Sequence, residues 1–204
     1  MPDRSRLAKN TAFQYGLQLA KYLFPFVTVA YLTRVLGPDV YAIRAYVMAA
    51  MTFMLMFLEF GFTTYGTKSI AEATSREEEK LETSAITYTR LALSGIGAIV
   101  LVPITIMLPL MAANPVYVVF AYIGTCFKAY LPDYVFRGQE DMGIITYRYV
   151  VSQIVAVGLI FLLVNSPGDL LLVPILEGLG ALIALVWSWE NVMRKRGITF
   201  VRVS

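Results

Sequence analysis

Residues 91–127 run for 37 positions without a charged side chain. As one straight helix this stretch would be about 55 Å long, far more than the ~30 Å hydrocarbon core of a bilayer. It must therefore fold back on itself. Pro109, Asn114 and Pro115 mark the place, because proline breaks helices and asparagine favours turns. Charged residues make up only 15% of the 204-residue chain and hydrophobic residues 58%. A soluble domain typically carries about 25% charged residues, so too few charges are present to cover a surface in water. The solvent this chain requires is lipid.

The remaining apolar stretches give the count. Six helices are predicted, at about 11–36, 40–62, 88–110, 115–131, 145–164 and 170–190, forming a single all-α bundle over 1–204. The run Asn165-Ser166-Pro167-Gly168 is a turn signal before the last helix. The first stretch contains Gln14, Gln18 and Lys21 and has no small-residue cleavage site, so it reads as a membrane helix and not a removable leader. The charged segment 71–82 reads as a solvated helix or loop.

Sorting lysine and arginine over the connections gives the orientation. Arg4, Arg6 and Lys9 precede the first helix. Lys68, Arg76, Lys80 and Arg90 fall between helices two and three, and Lys128, Arg137 and Arg148 between four and five. Arg194, Lys195, Arg196 and Arg202 follow the last. All of these lie on one side, which by the positive-inside rule is cytoplasmic. Both termini are then inside. Trp187 and Trp189 stand where an interfacial anchor belongs.

Soluble-type catalysis has little to work with. Histidine is absent, Cys126 is a lone cysteine, and no nucleophile elbow, zinc-protease or phosphate-loop pattern occurs. No enzyme activity, metal, cofactor or nucleic-acid partner is expected.

Ionisable groups at bilayer depth are costly and usually face a protein interior or a wet cavity. Gln14, Gln18, Lys21, Pro25 and Thr28 recur at helical spacing and form one polar stripe on the first helix. It either lines a hydrated cavity or hydrogen-bonds to neighbouring helices. Arg44 and Glu59 share a face of the second helix near its two ends, placed to snorkel or to serve a site. Glu177 lies within the last helix among Gly178, Gly180, Ala181 and Ala184, small residues that admit a close neighbour. It is a candidate proton or cation site, or the ion-pair partner of Lys21.

Several motifs carry a resemblance. Lys9-Asn10-Thr11 opens the first helix. Leu32-Thr33-Arg34-Val35-Leu36-Gly37-Pro38 closes it, with Tyr41 after. Leu58-Glu59-Phe60-Gly61-Phe62 and Lys68-Ser69-Ile70-Ala71 follow. Pro132-Asp133-Tyr134-Val135-Phe136-Arg137-Gly138-Gln139-Glu140 and Asn165-Ser166-Pro167-Gly168-Asp169 come later. In order and spacing the chain resembles the N-terminal half of the Wzx-type polysaccharide flippases of the multidrug/oligosaccharidyl-lipid/polysaccharide (MOP) exporter superfamily. The resemblance implies one six-helix lobe of a two-lobed, MOP/MATE-like transporter. It also implies an undecaprenyl-diphosphate-linked O-antigen or capsule repeat unit as cargo, alternating access, and coupling to a proton or sodium ion. Gln14, Gln18, Lys21, Arg34 and Arg44 would line the cavity, and Glu59 and Glu177 would serve a coupling ion or an ion pair. Glu59 stands where the family often has aspartate. The family has twelve or more helices, and six are legible here. A second six-helix lobe or a polysaccharide polymerase is then an implied partner. A non-transporting fragment or scaffold of a polysaccharide assembly complex, and a multidrug or cation antiporter, stay open as alternatives.

Overall fold

The computed structural model describes residues 4–201, which are helical almost throughout, with no strand among them. Arg202 and the side chains of Arg4 and Arg6 lie outside the described part. The helices are α1 (Arg4–Glu59), α2 (Phe62–Glu72), α3 (Arg76–Met107), α4 (Pro109–Ala112), α5 (Pro115–Ala129), α6 (Asp133–Gly138), α7 (Met142–Leu163) and α8 (Leu172–Glu190). A 3₁₀ turn (Pro167–Leu171) precedes α8, and a π-helical turn (Asn191–Lys195) follows it.

Helix α1 is two helices in one. Gly37 leaves the helical region at φ 76°, ψ 165°, a conformation cheap only for glycine, and Pro38 restarts the helix with a fixed φ. The chain turns there, giving a first arm (residues 4–36) and a second arm (38–59). The next break, at Phe60 (φ 31°) and Gly61 (φ 80°), again uses the left-handed region and ends the second arm three residues before the predicted boundary.

Among the described residues, four helical stretches are long and apolar enough to cross a membrane: Lys9–Glu72, Arg76–Met107, Met142–Leu163 and Pro167–Lys195. With their exposed apolar faces they make this an all-α membrane protein. Tyr15, Leu19, Tyr22 and Phe26 are each more than half exposed on one side of the first arm, and Ile99, Ile106 and Met107 on α3. In water such faces would aggregate, whereas in lipid they are solvated. The return predicted near 110–115 is the short α4 and Asn114, with Pro115 starting α5. At 15 residues α5 is the shortest of the long rods, held between Pro115 and Pro132.

Helix α3 starts at Arg76, well before the predicted 88, so the acidic segment is its first turn. Ser75 Oγ accepts from the Glu78 amide at 3.3 Å, and the Glu78 carboxylate accepts from the Thr74 amide and hydroxyl at 2.7 and 3.0 Å. This is a helix N-terminus with its orphan donors met and three carboxylates on the positive end of the dipole. The Thr74 backbone hydrogen bond, above all, holds the Glu78 carboxyl below its ordinary value. A depressed folded pKa means this cap stabilises above the ordinary glutamate value and is lost as pH falls through the lower folded one. Acid titration of Glu78→Gln followed by circular dichroism should therefore show a shallower loss of helix than the parent chain.

Packing divides by end. Near Gly37, Leu32 and Leu36 of the first arm pack with Ile160, Val164, Val173 and Leu176, and Val47 and Met51 of the second arm pack with Leu101, Met111, Tyr117 and Val118. At the opposite end, α2, α6 and the tail build a third core around Ile70, Ile86, Tyr134, Phe136 and Ile198. Trp189 is part of this packing, not a lipid anchor: its Nε1 donates to the Tyr130 carbonyl, and its ring lies 4.9 Å from Phe200. Trp187 is exposed.

The central helix α8 touches its neighbours through glycine. Gly178 meets Gly124 of α5 backbone to backbone, and a Cβ on Gly180 would sit 2.8 Å from Ala156 Cβ and 3.0 Å from the Ser152 carbonyl of α7. Such contact exchanges side-chain volume for close dispersion packing. Gly180→Val should therefore overpack this interface by about 1–3 kcal/mol, read as a lowered unfolding temperature in detergent. Gly95→Val, where a Cβ meets nothing within 4 Å, serves as the control.

Candidate functional site

Between the two arms of α1 lies a cleft of about 420 Å³, floored by α7 and α8 and closed at one side by α5. Five helical segments contribute charge or polarity to it. The first arm supplies Lys21, Pro25 and Thr28, the second Arg44, α5 Lys128, α7 Tyr149 and Gln153, and α8 Glu177. Pro25 has no amide proton, so it leaves the Lys21 carbonyl without its helical partner beside the cleft. Thr28 contributes less than the stripe suggests, because its hydroxyl donates to the Phe24 carbonyl of its own helix at 2.8 Å.

Arg44 and Glu177 face each other across the floor, with Nη2 to Oε1 at 2.6 Å. Their side chains retain only 11% and 20% of their exposure, so this is a largely desolvated pair and not a surface bridge. The guanidinium also lies 5.7 Å from the Tyr41 ring. Glu177 is thus the partner of Arg44 and not of Lys21. Lys21 is exposed to the cleft, its Nζ 6.0 Å from the Tyr149 ring centroid. Neither Lys21 nor Lys128 forms an ion pair among the described residues. Three cations face one carboxylate, leaving two positive charges in excess.

The other predicted residues are dispersed. Gln14 and Gln18 line a separate groove of about 340 Å³ with Thr11 and Tyr15, and Gln18 donates to the Tyr22 hydroxyl at 3.3 Å. Arg34 is exposed and is not part of the cleft lining. Glu59 ends the second arm, where its field, with that of Asp133, reaches Arg90.

Three residues assigned to cytoplasmic connections lie elsewhere. Lys128 is in the last turn of α5, in the cleft lining. Arg90 and Arg148 are only 2% exposed, inside α3 and α7. Arg148 donates to Ser188 Oγ at 2.6 Å and to Asp133 at 2.7 Å, tying α7 to α8 and α6. Arg90 donates to the Leu131 carbonyl and the Thr63 hydroxyl between the Phe62 and Tyr134 rings. Both arginines are structural braces.

A larger groove of about 590 Å³ lies at the tail end, and some of its polar groups are tied to one another or to the backbone. Asn10 donates to the Glu140 carbonyl, and Arg196 pairs with Asp141 at 2.6 Å.

Fold and site together define an all-α membrane protein with a cationic cleft between its helices. Comparison with known proteins gives the family. The sequence profile described as "Polysaccharide biosynthesis protein" matches residues 7–203, and the chain belongs to that family. It is 29% identical over 206 residues to a protein of Escherichia coli (strain K12) named "Putative O-antigen transporter", covering 99% of this chain and 49% of that protein. A Shigella dysenteriae protein of the same name is 25% identical, covering 96% of this chain and 49% of its own length. The chain thus spans about half the length of the curated relatives it matches. No solved structure matches it.

Proposed function

We propose that the chain forms one lobe of a flippase that moves undecaprenyl-diphosphate-linked oligosaccharide repeat units across the cytoplasmic membrane, with its headgroup site in the cleft between the arms of α1. The observation that carries this is the charge of the cleft. Lys21, Arg44 and Lys128 come from three different segments and outnumber Glu177 by two. A diphosphate esterified at both ends carries about two negative charges near neutral pH, one per phosphate. Guanidinium and ammonium groups in a partly dry site bind such oxygens through charge-assisted hydrogen bonds. Family membership and the relatives' name support transport of a polysaccharide precursor.

On this reading the two arms, α3, α5, α7 and α8 make six crossings, with the Gly37 end outside and both termini inside. The cleft then opens toward a second lobe, and alternating access exposes it to each leaflet in turn. A multidrug or cation antiporter would need a carboxylate free to take up its cation. The carboxylate lining this cleft is already held by Arg44.

Titrating the chain in nanodiscs of neutral lipid with farnesyl diphosphate and with farnesol tests the assignment. The diphosphate is expected to bind at least tenfold more tightly, with affinity falling as salt screens the contacts. Lys128→Ala should weaken it by about tenfold, the size of one charged hydrogen bond. Equal affinity for the alcohol would overturn the reading.

A further inference from the structure

The Arg44–Glu177 contact does not use the full capacity of Arg44. A guanidinium presents five donors in a fork that suits two oxygens at once. Here one nitrogen meets one carboxylate oxygen, and Arg44 Nε is buried with no hydrogen-bond partner. The buried Tyr117 hydroxyl, in the field of the same two groups, also has none. The Arg44 guanidinium also lies 5.7 Å from the Tyr41 ring, a contact that does not involve Glu177. A single-point contact with a spare donor edge, at the floor of a cleft with a surplus of cations, is suited to exchange.

We infer that Glu177 is an internal competitor for the anionic headgroup: it holds Arg44 in the empty cleft and yields it to a diphosphate, setting the affinity and the charge selectivity of the site. The inference rests on the proposed headgroup site. An unpaired guanidinium with 11% exposure is costly, so the carboxylate keeps the empty site intact. An incoming anion must displace it. A monophosphate offers one phosphate against the tethered carboxylate. A diphosphate offers two, so it can take Arg44 and still reach Lys21 or Lys128. Specificity of this kind is a difference of affinities created by an opposing element.

The test compares farnesyl diphosphate and farnesyl monophosphate on the same chain in neutral nanodiscs. Glu177→Gln is expected to tighten both about tenfold or more and to tighten the monophosphate further, narrowing the preference for the diphosphate. In an Arg44→Ala background the same substitution should tighten both ligands by a similar factor and leave the preference between them unchanged, because only the repulsion by a stranded carboxylate remains to be relieved. Should Glu177→Gln fail to fold, Glu177→Asp, which withdraws the carboxylate by one methylene, should give an intermediate tightening. Unchanged or weaker binding in the glutamine or aspartate variant, with the parent chain still preferring diphosphate to farnesol, would overturn this inference alone. Absence of that preference in the parent chain would instead remove the headgroup site on which it rests.

Discussion

Replacing Arg148 with alanine is expected to cost the fold about 3–5 kcal/mol, the range for breaking a buried ion pair from one side. The side chain is 3% exposed and reaches two helices, donating to Asp133 at 2.7 Å and to Ser188 at 2.6 Å. Without it the Asp133 carboxylate, 24% exposed, has lost its charged partner between α6 and α7. The loss should show as a large fall in unfolding temperature and in the yield of folded chain. Removing both charges in Arg148→Met with Asp133→Leu should recover much of it, since no unpaired charge then remains. If the single variant were as stable as the parent, the brace between α6, α7 and α8 would be energetically idle.

The largest effect on binding is expected from the two unpaired lysines together. Lys21 and Lys128 approach the cleft from the first arm and from α5. Each is expected to give a charge-assisted hydrogen bond worth at least about 1.5 kcal/mol, so the double alanine variant should lose at least about 100-fold in affinity for farnesyl diphosphate. Its unfolding temperature should barely move, because neither lysine holds an ion pair among the described residues. Its binding should also lose most of its salt dependence. Arg44 is a poorer probe of binding, since its removal also strands Glu177.

Much of the architecture is legible in the chain. Gly37-Pro38 marks the fold of α1, the prolines and Asn114 mark the return before α5, and the small residues around Glu177 announce the contacts that α8 makes with Gly124 and Ala156. The site is only half legible. The stripe through Lys21, Pro25 and Thr28 reaches the cleft, but Gln14 and Gln18 on the same stripe line a different groove with Thr11 and Tyr15 of the first arm. Periodicity assigns a residue to a face and is silent about which part of that face is covered.

The partner of Glu177 is a matter of tertiary structure. Arg44 is 133 residues away in sequence, and only the packing of α1 and α8 against the same two helices, α5 and α7, brings the two together. Lys128 was hidden for another reason. Counting charges by connection treats every basic residue at the edge of an apolar stretch as solvated, although the predicted helices 88–110, 115–131 and 145–164 already include Arg90, Lys128 and Arg148. One signal would have found Lys128. The helix break at Pro132 comes only after it, so the helix that begins at Pro115 still carries it.

The central claim is that the cleft between the arms of α1 is a wet, cationic site for a diphosphate. It is tested most directly by thiol labelling of Lys21→Cys, in a Cys126→Ser background that removes the one native thiol. The measurement is the rate of reaction with a charged, membrane-impermeant reagent, with and without farnesyl diphosphate. Ready labelling is expected, slowed at least fivefold by saturating diphosphate and left unchanged by farnesol. A cysteine at position 21 that is inert to the reagent, or that reacts at the same rate with diphosphate bound, would contradict the claim.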